Sequence, residues 1–187
     1  MITKIPDPVL TIPAKTVVNI DKKILGLISQ MKKDLINSNN PKGVGLAAPQ
    51  IGVSLRIFIT RPTEKSAIGA FINPEITAKS KEISEINRIV ENANSNIAHE
   101  KKLEGCLSIP NVWGYLKRST TVRLRFMNLD GQYKEAEFKG FMATIVQHET
   151  DHVNGILFTQ RVLEQNQKLY RIEKNEKGEE KLIEIEL

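Results

Sequence analysis

The sequence is poor in cysteine and histidine, with one and three residues respectively, and it lacks long apolar runs. A single cysteine excludes an internal disulfide, which favours a reducing compartment and hence the cytoplasm. No apolar run approaches the roughly 18 residues of a membrane span, and Met1 to Pro6 contain no signal-peptide core, so no membrane segment is expected. Aromatic residues make up only 5% of the chain and no RNA-recognition motif occurs. Specific nucleic-acid binding is therefore not predicted.

The rest of the composition is typical of one globular domain. The chain has 187 residues, of which 40% are apolar, enough to form a buried core. Its formal net charge is +5. Such a modest basic excess is typical of ordinary solvated surface, and the functional alternative is a weak attraction to an RNA-rich partner such as the ribosome. We interpret residues 1 to 187 as a single domain.

Two histidines lie four residues apart with a glutamate after the first, in the segment Gln147 to His152, which reads QHETDH. On a helix, positions i and i+4 share a face, so His148 and His152 can bind the same metal ion. Glu149 would then lie beside the ion, where it could act as a general base. Isolated packing or surface histidines are the alternative interpretation, but this spacing around a glutamate rarely arises by chance.

The segment that carries these histidines is predicted to be helical. Residues 141 to 153 contain neither proline nor glycine, and Phe141 and Ile145 continue the stripe formed by the two histidines. Gly140 before the segment and Asn154 after it are suitable boundaries. The two imidazoles are therefore expected on one face of one helix.

A catalytic site of this class has three protein ligands and leaves one position open for water. No histidine follows His152, which excludes the pattern with a third histidine downstream. Cys106, the only cysteine, is the upstream candidate, and a downstream glutamate is the alternative third ligand. A lone cysteine is usually a small buried apolar residue, but a two-histidine site without a third ligand favours Cys106 as that ligand. Another metallopeptidase with the same two-histidine motif, acting on short peptides, and a closed structural metal site are the alternatives.

A third stretch, Gly43 to Gln50, reads GVGLAAPQ and combines small residues with one amide side chain. Together with Glu104 to Ser108 (EGCLS) and Gln147 to His152, in this order, it resembles the peptide deformylase family. The similarity extends over residues 4 to 163. The resemblance implies a metal-dependent hydrolase that removes the N-formyl group from the formylmethionine terminus of new polypeptides and releases formate.

The resemblance also assigns roles to particular residues. It implies one divalent ion on Cys106, His148 and His152, with Fe²⁺ in cells and Zn²⁺ or Ni²⁺ able to substitute, because the same sulfur and nitrogen ligands suit all three. It implies that the oxyanion of the reaction is stabilised by the Gln50 amide and the Leu107 backbone N–H.

The substrate is expected to contact a further set of residues. The resemblance implies that the Gly45 backbone binds the substrate backbone. A pocket for the methionine side chain should be apolar, and Val44, Phe141 and Ile145 are suitably placed, with core packing as the alternative role. Outside the ligands, Glu104 is predicted to accept a hydrogen bond from a ligating histidine, and Asp151 to pair with Arg118, with a surface ion pair as the alternative.

The patterns along the chain predict an α+β fold, with antiparallel sheets packed around the central metal-binding helix. An N-terminal helix is predicted over residues 21 to 37, capped by Asp21, and a β-rich C-terminal tail forms a hairpin within residues 168 to 187 around a turn at 175 to 178. The strands predicted between them are residues 55 to 59, residues 67 to 72 ending at Asn73 and Pro74, and a hairpin of 120 to 126 with 133 to 138.

Residues 78 to 98 are predicted to be an insertion, because the resemblance implies a shorter connection at this point. Within it, the spacing of Ile83, Ile86, Ile89 and Val90 favours a short helix. An exposed loop is expected over residues 92 to 96, and His99 is interpreted as a surface residue rather than a ligand.

Overall fold

The computed structural model describes residues 1–38, 42–91, 97–174 and 180–185 of the chain. In this part of the chain, three helices position most of the core. These helices are α1 (Lys22–Asn37), α2 (Gly140–Val153) and α3 (Phe158–Glu164). The strands are β1 (Gly45–Ala47), β2 (Ile57–Thr60), β3 (Gly69–Lys79), β4 (Ile83–Ser84), β5 (Ile86–Glu91), β6 (Ile97–Lys102), β7 (Glu104–Cys106), β8 (Ile109–Gly114), β9 (Arg118–Ser119), β10 (Thr121–Met127), β11 (Tyr133–Lys139), β12 (Leu169–Lys174) and β13 (Glu180–Glu184).

The central sheet is antiparallel, with the strand order β1-β2-β3-β10-β11, and both of its faces are covered. Successive residues of a strand point to opposite faces. On β2, Ile57 and Ile59 accordingly pack with Met31 of α1, whereas Phe58 packs with the cluster that contains Val146 of α2. Helix α2 therefore lies on the opposite side of this sheet from α1.

A second antiparallel sheet, with the order β13-β12-β8-β7, packs against α3. Phe158 and Val162 of α3 lie in one buried cluster with Leu169 of β12 and Cys106 of β7. The predicted α+β class, with antiparallel sheets around the histidine-bearing helix, an N-terminal helix and a β-rich tail, is confirmed. Strands β12 and β13 pair from Tyr170 to Glu184, and the predicted turn at residues 175 to 178 lies outside the described residues.

Helix α1 begins and ends where its pattern predicts. The Asp21 side chain accepts hydrogen bonds from the backbone N–H groups of Lys23 and Ile24, both at 2.9 Å. These bonds satisfy two of the donors that the first turn of a helix leaves free. In the residues that the structure describes, neither α1 nor any other helix is both long and apolar enough to cross a membrane.

The predicted end of β3 at Asn73 and Pro74 is wrong, because the strand continues to Lys79. Asn73 adopts φ 51°, a conformation that asparagine tolerates better than most residues. Its side-chain amide also exchanges two hydrogen bonds of 2.8 Å with the backbone of Val17. The pairing of β3 with β10 shifts register in this region, and such a bulge accommodates a proline within a strand.

The predicted short helix within the insertion is also wrong, because Ile83–Ser84 and Ile86–Glu91 are strands. Strand β5 pairs with β6 from Ile86↔Lys102 to Glu91↔Ile97. Short runs rich in β-branched residues are ambiguous between helix and strand, and here the pairing partner decides. The loop predicted over residues 92 to 96 and the side chain of His99 lie outside what the structure describes.

Candidate active site

The three predicted ligands meet although they come from distant parts of the chain. Cys106 ends β7, and His148 and His152 lie on one face of α2. The Nε2 atom of His152 lies 3.2 Å from Cys106 Sγ and 3.2 Å from His148 Nε2, and the three ligand atoms lie within 4.8 Å of one another. Tetrahedral coordination at ordinary bond lengths separates two nitrogens by about 3.3 Å and nitrogen from sulfur by about 3.5 Å. The group therefore fits one small divalent ion.

The sulfur of Cys106 receives two N–H donors besides the histidine contact. The backbone N–H of Ser108 lies 3.4 Å from Sγ, and the Gln50 Nε2 lies 3.5 Å from it. Only 3% of the cysteine surface is exposed. These contacts hold the sulfur in place beside His152.

The histidines differ in their surroundings. The pKa of His152 is held well below its ordinary value, first by burial and then by His148, so its imidazole is neutral, as a metal ligand must be. Burial would also lower the pKa of His148, but hydrogen bonds to Cys106 and Glu104 outweigh it and raise that pKa well above the ordinary value. A cation at this position would compete with the proton on His148.

A buried network of ion pairs holds His148 at its Nδ1 atom. Glu104 Oε1 lies 2.7 Å from His148 Nδ1, as predicted for a residue that orients a ligating imidazole. Arg118 donates to both oxygens of Glu104, at 2.8 and 2.7 Å, and to Asp151 at 2.9 Å. Burial would raise the pKa of Glu104, but the Arg118 charge and these hydrogen bonds lower it well below its usual range.

This network confirms the predicted pair of Asp151 with Arg118 and excludes a surface location, since Arg118 and Asp151 are each 8% exposed. Sequence reasoning missed Arg161, whose Nη2 donates to the second oxygen of Asp151 at 2.9 Å. Arg161 lies on α3, which was not predicted. Its position, ten residues after Asp151, gave no local signal of this contact.

The Glu149 carboxylate lies directly against Gly45. A Cβ atom added to Gly45 would approach Glu149 Cδ to 2.7 Å, closer than real Cβ contacts allow. Glu149 is 3% exposed, and its Oε2 has no hydrogen-bond partner among the residues that the structure describes. Burial raises the pKa of Glu149 to about 7, against the opposing effect of His148. Gly45 therefore makes room for the predicted base, a role that the sequence did not indicate.

The Gln50 side chain is oriented by a backbone group three residues before it. Its Oε1 accepts a hydrogen bond of 2.8 Å from the N–H of Ala47, which directs Nε2 toward the ligand group. Gln50 is 1% exposed, and Leu107 lines the same pocket next to Cys106. The Gln50 amide therefore borders the site on the cysteine side, and Leu107, whose backbone N–H is the second predicted donor, lines the same pocket.

These groups surround a pocket of about 110 Å³, which we call the site pocket. Val44, Phe141 and Ile145, the predicted apolar residues, all line it. Ile86 and Leu103, which sequence reasoning did not predict, line it too, and so does Trp113.

Trp113 lies across Gly105, because a Cβ there would be 2.6 Å from the indole atoms Cε3 and Cζ3. Gly105 precedes the candidate ligand Cys106 on β7, and both residues line the site pocket with Trp113. The missing glycine side chain therefore lets the indole form part of the pocket wall.

The chain is similar over most of its length to known deformylases. The sequence model of the family described as polypeptide deformylase matches residues 1–168. The peptide deformylase of Dictyoglomus turgidum is 39% identical over 165 residues, which is 88% of this chain and 94% of that protein. Peptide deformylase 1 of Bacillus subtilis is 37% identical, over 84% and 86% of the two chains. The crystal structure of the peptide deformylase from Thermotoga maritima superposes with a TM-score of 0.72 at 33% identity, covering 87% of this chain and 96% of the other.

Proposed function

The chain belongs to the peptide deformylase family, and from that premise we propose that Cys106, His148 and His152 bind the divalent metal ion with which it hydrolyses formyl groups. Removal of the N-formyl group from new polypeptides is the activity of this family, and the alternative of another two-histidine metallopeptidase is not favoured. The observation that carries the assignment is the convergence of one sulfur and two imidazole nitrogens within 4.8 Å, beside a buried carboxylate. We propose Fe²⁺ in cells on the family resemblance, since these ligands equally suit Zn²⁺ and Ni²⁺.

Glu149 is proposed to move the proton of the reaction. When bound, the ion supplies a nucleophile at neutral pH by acidifying water, and it polarises the formyl carbonyl. The Glu149 carboxylate would accept a proton from the attacking water at Oε2 and then deliver it to the leaving nitrogen of methionine. Positioned proton transfer of this kind contributes on the order of 10² to 10⁴ in rate. The oxygen is supported in this role because it is buried and has no hydrogen-bond partner among the described residues.

Negative charge develops on the formyl oxygen as the carbonyl carbon becomes tetrahedral. The Gln50 Nε2 group and the Leu107 backbone N–H are proposed to donate to that oxygen. The hydrogen bond from the Ala47 N–H to Gln50 Oε1 supports this role, because it orients the amide toward the site. Each such donor is typically worth about 3 kcal/mol of transition-state stabilisation.

The methionine side chain is proposed to occupy the site pocket, against Val44, Phe141 and Ile145. The backbone of Gly45 would hydrogen-bond the substrate backbone and so align the formyl carbon with the ligand group. A formyl carbon carries only hydrogen, so close walls around it admit the formyl group and exclude larger acyl groups.

The cellular setting is proposed on composition. We infer that the protein is a single catalytic domain over residues 1 to 187 that acts in the cytoplasm on nascent formylmethionine polypeptides. The single cysteine supports a reducing compartment, and the net charge of +5 supports a weak attraction to the ribosome.

Release of formate from formyl-Met-Ala by protein loaded with Fe²⁺ or Ni²⁺ tests the proposal. We expect turnover of this substrate and none of acetyl-Met-Ala, whose acyl group is larger. The variant Glu149→Ala should retain the ion, measured by elemental analysis, and lose about 10²-fold or more of kcat. Comparable turnover in this variant would show that another group moves the proton.

A further inference from the structure

Beside the site pocket lies a larger cavity of about 840 Å³, which we call the basic groove. Its lining includes Lys42, Arg61 and Lys65. The two cavities share Lys42, Gly43, Val44 and Phe141, so they are continuous along one wall. A molecule that fills the site pocket can therefore extend into the groove without crossing the protein.

The residues shared by the two cavities form a wall that leads away from the proposed site of the reaction. Gly45 lies against Glu149, and the preceding residues Val44, Gly43 and Lys42 lead from there to the groove. The backbone N–H of Arg61 donates to Val44 O at 2.7 Å, which fixes the next part of the groove against this wall. The substrate is a polypeptide, and the site pocket holds little more than its first side chain. An extended chain covers about 10 Å in three residues, so its third and fourth residues would reach the groove.

The charge of the groove is predominantly positive. Its lining holds three cationic side chains, Lys42, Arg61 and Lys65, and one carboxylate, Glu64. Glu64 pairs with Lys42, and Arg61 Nη2 donates to the backbone carbonyl of Glu64 at 2.5 Å. Among the residues that the structure describes, no carboxylate forms an ion pair with Lys65, whose side chain is exposed. The groove therefore presents cationic charge that its own carboxylate does not balance.

We propose that the basic groove binds acidic side chains at the third and fourth residues of the substrate polypeptide. This inference rests on the proposed function, because it requires the formyl end to be held at Cys106, His148 and His152. Charges at the third and fourth residues are remote from the reacting atoms, so they act on substrate association rather than on the chemical step. The preference should therefore appear in KM, with kcat unchanged.

Formyl-Met-Ala-Asp-Asp, formyl-Met-Ala-Ser-Ser and formyl-Met-Ala-Lys-Lys test this preference on the metal-loaded full chain, with formyl-Met-Ala as the reference. We expect KM to rise in that order, with a step of about three- to fivefold, the size typical of exposed ion pairs. The differences should shrink at high salt, because screening weakens interactions between exposed charges.

Lys65→Glu leaves two cations and two carboxylates in the groove lining, so it should abolish the differences in KM among the three tetrapeptides, with formyl-Met-Ala as the reference. The matched control is Lys134→Glu, an equal change of charge at an exposed position early in β11, which should keep the original order. Equal KM values for the three tetrapeptides in the original protein, or the same loss of preference in the control variant, would overturn the groove assignment while formyl-Met-Ala is still hydrolysed. Failure to hydrolyse formyl-Met-Ala at all would instead overturn the proposed function, and the groove assignment with it.

Discussion

At the scale of single residues, the contact between Gly45 and Glu149 shows how a missing side chain makes room for the proposed general base. The glycine lies in the edge strand β1, and the glutamate occupies the space that any Cβ there would take. A methyl group at this position must displace the carboxylate from the ligand group. Displacement of a catalytic group by about 1 Å is enough to cost on the order of 10²-fold in rate.

Gly45→Ala is therefore expected to lower kcat by about 10²-fold while metal content, measured by elemental analysis, stays close to the original. Gly26→Ala is the matched control, since a Cβ at Gly26 has no heavy atom within 4 Å. It should leave kcat unchanged and stabilise α1 by about 0.5–1 kcal/mol. Unchanged kcat in Gly45→Ala would mean that Glu149 can act from another position.

Loss of Arg118 is also expected to affect the proposed metal ligands. It pairs with both Glu104 and Asp151, and Glu104 in turn contacts His148. Removing one partner of a buried ion network leaves uncompensated charge, at a cost of about 3–5 kcal/mol.

Arg118→Met is expected to lower the free energy of unfolding by about that amount and to weaken metal binding about 10- to 100-fold, because the orienting carboxylate loses its support. Denaturant unfolding and a metal competition titration measure the two effects. Arg125→Met is the control, as the exposed pair of Arg125 with Glu75 should contribute less than about 1 kcal/mol. Equal losses in the two variants would contradict a special role for the buried network.

At the scale of elements, α1 shows how much of a helix the local sequence pattern can predict. Its cap, its apolar stripe and its end could all be predicted, because each depends on residues within a few positions of one another. Asp21→Ala removes the acceptor for two backbone N–H groups and should destabilise the protein by about 1 kcal/mol, measured as a lower melting temperature. Asp21→Asn retains a capping oxygen and should preserve most of the stability, which separates capping from charge.

Strand β3 and helix α3 were not predicted in the same way. The strand passes through Asn73 and Pro74 because Val17, 56 residues away in the chain, satisfies the asparagine side chain. The Ile83 to Val90 pattern favoured a helix, but pairing with strands later in the chain determines its structure. Helix α3 has only seven residues, so packing of Phe158 and Val162 stabilises it more than intrinsic propensity does.

At the scale of the whole molecule, the ligand group connects separately packed units. Cys106 belongs to the cluster around α3 and the second sheet, whereas α2, which carries both histidines, packs on the central sheet through Ala143, Val146 and Val153. An ion bound to all three ligands would link these units and bind only the folded state. Such an ion stabilises the fold by about 2.7 kcal/mol when present at 100 times its dissociation constant.

Removal of metal by a chelator should therefore lower the melting temperature by about 5–10 °C, and re-addition should restore it. Thermal unfolding with and without chelator measures the effect. Cys106→Ser should show a much smaller response to the chelator and a lower metal content by elemental analysis. An unchanged metal content in that variant would show that the third ligand lies elsewhere.

The sequence by itself determined the chemistry and the local elements: which side chains can bind a metal, that the two histidines share a helix face, and that a glutamate follows the first. These depend on spacings of a few residues, which helical and strand periodicity dictate. Only the tertiary structure decided that Cys106 reaches His152 across 46 positions, that Gly45 makes room for Glu149, and that Arg161 joins Arg118 on Asp151. Such contacts follow from how the sheets and helices pack, which no short-range pattern encodes.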